Sequence, residues 1–285
     1  MHVRPERGAL RIGILTGTEI RHRYFVQAVR SRWEVVAAGY EQTGYSPAAV
    51  SSKDLTPAER IVVDGHFAER ARQEQRFFGH ASDFVIADGR CAARHIGPGA
   101  LNSEATLVFL QAAGVDTVVV YGTNLIRPPL IEHWPGRLIN MHLGLSPYYR
   151  GTATNFYPLL NEEPQFVGAT IHLIDPGIDT GPILRHARPR IDADDMPHTI
   201  GCRAIQAGID ALHAVLDDLA AGTVKPVRQW TVAGARLYLR KDYHPRQIVD
   251  LYRKLEDGLI PKYVQRAGWA SAGLRLIESS CPVTA

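Results

Sequence analysis

Long apolar runs are missing from this chain. No stretch approaches the roughly 18 to 20 apolar residues that a membrane-spanning helix needs, and Met1 to Gly8 is charged with no long apolar stretch behind it. No membrane partner is expected, and the expected location is the cytoplasm. Cysteine is scarce: Cys91, Cys202 and Cys281 are far apart and show neither the CxxC pairing of a zinc site nor the density of a disulfide scaffold. Each is read as a small packing residue in a reducing compartment. An excess of one charge is also missing. The 32 basic and 29 acidic residues leave a net charge of +3, far below what a protein living on nucleic acid carries. Gly13-Ile14-Leu15-Thr16-Gly17 lacks the GxGxxG spacing that seats a pyrophosphate on a helix N-terminus, which argues against a dehydrogenase. There is no metal-ligand cluster, internal repeat or low-complexity tract.

What is present is a chain of 285 residues, 45% hydrophobic, long enough for one large domain with an appendage. Leu10 to Thr16 reads as a buried strand, Arg23 to Arg30 as a helix and Trp33 to Ala38 as a second strand, an order that predicts a parallel sheet covered by helices. Thr56 and Pro57 start a charged helix whose interrupted apolar face is Ala58, Ile61, Val62, His66, Phe67 and Ala71, with a break expected near Gly65. A short strand is expected at Phe84 to Ala87. Asn102 or Ser103 then caps a helix carrying Ala105, Val108, Phe109 and Ala112, ended by Gly114. The β-branched run Val115 to Tyr121 is the clearest central strand, followed by a loop through Gly122, Asn124, Pro128 and Pro129.

Further along, the spacing predicts a strand over Arg137 to Met141, a loop from His142 to Gly151, a helix over Thr152 to Glu162 and a strand over Val167 to Ile174. One long helix covers Pro197 to Gly222. Val224 to Leu239 reads as a β-hairpin turning at Ala233 and Gly234, and His244 to Arg266 as a last helix. The fold class expected is α/β: a mostly parallel Rossmann-like sheet with helices on both faces, residues 1–195, then a small mixed C-terminal extension, residues 196–285.

Two segments carry chemistry. Asn140 and His142 end a strand one pleat repeat apart, so they project to the same side. There an amide can donate to a developing oxyanion and an imidazole can move a proton near neutral pH. Asp175-Pro-Gly-Ile-Asp-Thr-Gly-Pro182 is a turn that sets two carboxylates beside two glycines. Alone, each segment reads more readily as structural; together they shift the balance toward a site.

Asn140-Met-His-Leu-Gly-Leu-Ser-Pro-Tyr-Tyr-Arg-Gly151, followed by Gly168-Ala-Thr-Ile-His-Leu-Ile-Asp-Pro-Gly-Ile-Asp-Thr-Gly-Pro182, resembles the active-site signature of the 10-formyltetrahydrofolate-dependent formyltransferases over residues 10 to 190. The resemblance implies Asn140, His142 and Asp179 as a catalytic trio and 10-formyltetrahydrofolate as formyl donor. It places the pterin by the loop of Asn124, Leu125, Ile126 and Arg127 and the turn of Asp175 and Gly177. It differs where family members often have Ser-Leu-Leu-Pro and this chain has Gly144-Leu-Ser-Pro147, which moves one hydroxyl by two positions. His172 is read as a structural imidazole inside an apolar strand. Arg150 is read as a loop-fixing or anion-binding guanidinium outside the trio.

The tail decides the expected acceptor. Methionyl-tRNA formyltransferases carry a larger β-rich C-terminal domain, purine-pathway enzymes end soon after the sheet, and formyltetrahydrofolate hydrolases add an N-terminal domain. The chain looks most like the sugar N-formyltransferases of polysaccharide assembly, through Arg21-His-Arg-Tyr-Phe25 and Leu237-Tyr-Leu-Arg-Lys-Asp-Tyr243. That resemblance implies a nucleotide-linked amino sugar as acceptor, a homodimer, and no nucleic acid partner. Lys225, Arg228, Arg236, Arg240, Lys241 and Arg246 are either acceptor-phosphate ligands or a solvated face. A methionyl-tRNA formyltransferase, a hydrolase and a non-catalytic Rossmann-like binding protein are the alternatives.

Overall fold

The structure is a computed structural model that describes residues 10–43, 54–81 and 89–278. Its centre is a seven-stranded sheet in the order β3-β2-β1-β4-β5-β7-β8. The strands are β1 (Arg11–Thr16), β2 (Glu34–Glu41), β3 (Ala92–Ile96), β4 (Thr117–Tyr121), β5 (Leu138–Leu143), β7 (Ala169–Leu173) and β8 (Ile183–Ala187). The first five pair in parallel, and β7 runs antiparallel to both β5 and β8. The mostly parallel α/β class is therefore observed. Every residue of β4 is buried, as its β-branched run predicted.

The helices are α1 (Ile20–Arg30), α2 (Pro57–Phe78), α3 (Glu104–Ala112), α4 (Leu130–His133), α5 (Tyr157–Leu160), α6 (Pro197–Ala221), α7 (Arg246–Glu256) and α8 (Leu259–Ala270). A core of Ile12, Phe25, Val29, Val119, Met141, Ile171, Ile209 and Leu212 joins α1 and α6 to one face of the sheet. Leu15, Leu107, Leu110, Val118, Val120 and Trp134 form a second core that takes in α3. α6 starts just past residue 195, and its Ile205, Ile209, Leu212 and Leu216 are part of the sheet's own core. Among the described residues no helix is long and apolar enough to cross a membrane.

Several elements differ from expectation. The Val224 to Leu239 hairpin does not form: β9 (Arg236–Tyr238) instead pairs in parallel with β6 (Tyr149–Gly151). Tyr238 stacks flat on Tyr157, 3.6 Å between ring centroids at 4°, so long-range aromatic packing outweighs a local turn that buries little. The last helix is two, divided at Gly258, whose φ of +83° is a left-handed conformation that stops α7. Only Tyr157–Leu160 of the Thr152 to Glu162 segment is helical.

α2 runs through Gly65 without a break, and its buried residues are Val63, His66, Glu74 and Phe78 while Ile61 is exposed. α3 buries Thr106, Leu107 and Leu110 and exposes Val108, with Ser103 as the cap. The strand placed at Phe84 to Ala87 lies outside the described residues. β3 was not anticipated, because an edge strand reading Ala-Ala-Arg-His-Ile is exposed along most of its length and shows no apolar run.

Candidate active site

β5 delivers Asn140 and His142 to one side of the sheet, and its register with β7 sets Asn140 opposite His172 and His142 opposite Thr170. The turn after β7 folds back so that Asp179 reaches them. Asn140 Nδ2 lies 3.1 Å from His172 Nε2 and 3.4 Å from Asp179 Oδ1. His142 Nδ1 lies 3.5 Å from Asp179 Oδ2. The three residues expected as a trio are thus brought together, with His172 as a fourth member.

His172 does more than fill the strand. Its Nδ1 faces the Leu173 carbonyl at 2.8 Å, which places the ring proton there and leaves Nε2 to accept from the Asn140 amide. It thereby orients that amide. The signal available in sequence was its spacing in the second motif, but an apolar neighbourhood concealed it.

Asp179 adopts φ +50°, a left-handed conformation that Asp and Asn tolerate better than other side chains. Its Oδ2 accepts from the Gly151 N–H at 2.9 Å. Gln229 Nε2 donates to the Asp179 and Gly181 carbonyls at 2.7 and 2.9 Å, so the C-terminal segment clamps the turn. No motif marked Gln229. A Cβ on Gly181 would sit 1.8 Å from the Leu173 carbonyl oxygen, which explains a glycine there.

The electrostatics oppose one another. Burial pushes the Asp179 carboxyl up, but the His142 imidazole beside it and the Gly151 N–H outweigh it and hold it below the ordinary range, so it is ionised at neutral pH. For His142 burial is the largest influence and lowers it, against the pull of Asp179 upward. The ring is neutral at neutral pH, with a carboxylate ready to stabilise its charged form. Its Nε2 lies 3.3 Å from Thr154 Oγ1 and 3.4 Å from the Tyr149 carbonyl. Gly144, where the family's serine is displaced, leaves room for this: a Cβ there would lie 2.6 Å from Thr154 Cβ and 2.9 Å from His142 Nε2. The displaced hydroxyl, Ser146 Oγ, is buried without a partner among the described residues, as is Arg150 Nε.

The site opens into a cleft of about 1360 Å³ lined by the trio, by Asn124, Leu125, Ile126 and Arg127, and by Asp175 and Gly177. Every expected donor contact is therefore at the cleft, but several polar groups already have partners. Asn124 Nδ2 donates to Glu41 Oε1 at 2.6 Å, and its Oδ1 accepts from Arg240 at 2.5 Å. Asn102, expected only as a helix cap, bridges the loop by donating to the Leu125 carbonyl at 2.9 Å and accepting from the Arg127 N–H at 2.8 Å. Asp175 Oδ1 accepts from Gly177 N and Thr180 Oγ1 at 3.1 and 2.7 Å, which shapes the turn. Leu125 is 44% exposed and presents an apolar surface to the cleft. Burial pushes the Cys202 thiol up to about 12, in keeping with a packing role, whereas Cys281 lies outside the described residues.

The chain is 29% identical over 161 residues to a methionyl-tRNA formyltransferase of Lachnospira eligens, covering 56% of this chain and 50% of that one. It is 34% identical over 122 residues to the methionyl-tRNA formyltransferase of Solibacter usitatus, covering 42% and 39%. The chain thus spans about half the length or less of these curated relatives. Among solved structures, a sugar N-formyltransferase from Shewanella sp. superposes with a TM-score of 0.53 at 19% identity over 86% of this chain and 88% of that one. The N-formyltransferase of Helicobacter canadensis, in complex with folinic acid and dTDP-3-aminofucose, superposes with a TM-score of 0.53 at 16% identity over 85% and 80%. These two likenesses show the fold. The formyl transferase family matches residues 67–216, more than half of the 285, and reaches from α2 through most of α6. The chain belongs to the formyl transferase family.

Proposed function

We propose that this protein transfers the formyl group of 10-formyltetrahydrofolate to a primary amine on a nucleotide-linked amino sugar. The observation that carries the reading is the convergence of Asn140, His142 and Asp179 at one cleft in a chain of this family. The acceptor amine attacks the formyl carbon and forms a C–N bond, giving a tetrahedral oxyanion. Asn140 donates to that oxyanion through the N–H now in its longer contact, at 3.4 Å to Asp179. His142 takes the amine proton while Asp179 stabilises the imidazolium, and the bond from carbon to N10 breaks with a proton delivered to N10. The products are a formamide and tetrahydrofolate.

The cleft suits two ligands. Its volume of about 1360 Å³ exceeds the roughly 300 to 1,000 Å³ of a pocket for one small molecule. The donor fits the Asn102-braced loop, where an exposed Leu125 offers a pterin an apolar contact. Residues 196–285, proposed as an extension of the 1–195 catalytic unit, contribute Leu239, Arg240 and Lys241 to the rim. The same reading carries a cytoplasmic homodimer acting in polysaccharide assembly, its dimer checked by sedimentation velocity. A second reading, transfer to methionyl-tRNA, is favoured by the curated relatives. The test incubates the chain and donor with amino-sugar nucleotides or charged initiator tRNA. One added formyl mass on the sugar supports the first reading, and the same gain on tRNA alone supports the second.

A further inference from the structure

α2 and α6 wall the cleft with polar side chains that the transfer chemistry leaves unused. His66, Arg70 and Glu74 recur every four residues along one face of α2. All three line the cleft, as does His198 from α6. His66 is 8% exposed, and among the described residues neither its buried Nδ1 nor the buried Nε2 of His198 has a hydrogen-bond partner. The two ring centroids are 4.3 Å apart. Buried polar atoms without partners require an explanation, and two side by side at a cleft wall point to a ligand that completes them.

Arg70 supplies charge. Its Nε donates to Glu74 Oε1 at 2.8 Å, while its two terminal nitrogens have no hydrogen-bond partner among the described residues. Glu74 is also held by Arg21 Nη1, 2.9 Å from each of its oxygens, so two guanidinium groups meet one buried carboxylate. Glu19, the other partner of Arg21, holds it at 2.5 Å from a side chain 60% exposed. The two carboxylates offset the two guanidinium groups in charge, and what the wall offers an anion is those terminal nitrogens of Arg70. The wall also adjoins the trio: Phe156 packs on His66 at 6.4 Å between centroids, two residues from Thr154, whose hydroxyl lies 3.3 Å from His142 Nε2.

We infer that Arg70 and His66, backed by His198, form the subsite for the acceptor's diphosphate, with the guanidinium fork and the His66 imidazole donating to phosphate oxygens. This rests on the proposed transfer to a nucleotide-linked acceptor. Of the basic residues of the tail, Arg236 faces Glu163 at 3.4 Å, Arg246 faces Glu59 at 3.4 Å and Arg240 holds Asn124, while Lys241 also lines the cleft. Burial holds the His66 and His198 rings neutral, near 3 and 4; His198 gives its one N–H to the His66 carbonyl, His66 keeps its own to donate, and Arg70 carries the charge.

The test is calorimetric titration of the donor-free full chain with UDP, dTDP and inorganic pyrophosphate. A nucleoside diphosphate is expected to bind. Arg70→Met and His66→Ala are each expected to weaken it by about 10- to 100-fold, the worth of a charge-assisted hydrogen bond. Gly201→Leu is a third variant: a Cβ at Gly201 meets nothing within 4 Å, so the added side chain enters the cleft without disturbing α6. Folinic acid binding, measured on the same variants, is expected to stay within about twofold, reporting an intact fold. Unchanged diphosphate affinity in all three variants overturns the inference, as does failure of all three probes to bind the wild type. If the wild type binds the diphosphate but no folate, the subsite stands and the transfer reading falls.

Discussion

Replacing Asp179 by Asn isolates the role of the carboxylate. Asn keeps the side chain's shape and tolerates the φ of +50°, so the turn and the Gly151 hydrogen bond survive. What is lost is the negative charge 3.5 Å from His142 Nδ1. With an effective dielectric of about 20, a carboxylate and an imidazolium at that separation attract by about 5 kcal/mol, an upper limit equivalent to about 3,000-fold in rate. A single charge-assisted hydrogen bond, about 1.5 kcal/mol, sets a lower limit near 10-fold. We therefore expect kcat to fall by about 100- to 1,000-fold, with the unfolding midpoint little changed. The pH profile discriminates further. Asp179 raises the affinity of His142 for a proton, so its removal moves the acidic limb of kcat/KM to lower pH. Steady-state rates between pH 5 and 8 measure both effects. A kcat within twofold of wild type, or a limb that moves up, refutes the assignment.

Other outcomes follow from the same geometry. Asn102→Ala releases the Leu125 carbonyl and the Arg127 N–H, and should raise the KM for the donor by about 30-fold with kcat nearly unchanged, as two bonds worth about 1 kcal/mol each are lost; a kcat loss at constant KM contradicts it. Gly144→Ala drives a methyl group into Thr154 and His142 Nε2, and should lower the urea midpoint and activity together; retention of both refutes the packing argument. Stability should fall on acidification. His186 and His198 are lowered to about 4 and His66 to about 3, in each case chiefly by burial. The unfolded chain takes up protons first as pH drops below about 6.5, at a loss of about 2 kcal/mol per ring by pH 5. Urea unfolding at pH 7 and pH 5 reads this, and equal stabilities contradict it.

The sheet was largely legible because its central strands are continuous apolar runs: Val115 to Tyr121 appears as β4 and Leu10 to Thr16 as β1. Where strands lie at an edge, as in β3, or pair only through distant aromatic stacking, as in β9 with Tyr238, local pattern carries no signal. The same division runs through the site. Asn140, His142 and Asp179 were visible because a strand end and a glycine-rich turn leave a spacing signature. His172, Asn102 and Gln229 act through register and long-range contacts between segments 32, 25 and 48 or more residues apart. The row of His66, Arg70 and Glu74 was hidden by reading α2 for its apolar face, when the face that matters borders a cleft.

The central claim is formyl transfer through this trio, and the most direct measurement follows mass gain on an amino-sugar nucleotide incubated with 10-formyltetrahydrofolate and wild-type protein or His142→Ala. One added formyl group with wild type, matched by tetrahydrofolate release and reduced by about 100- to 10,000-fold in the variant, is the predicted result. Wild-type rates in a folded His142→Ala protein, or release of tetrahydrofolate with no formylated product, would contradict it.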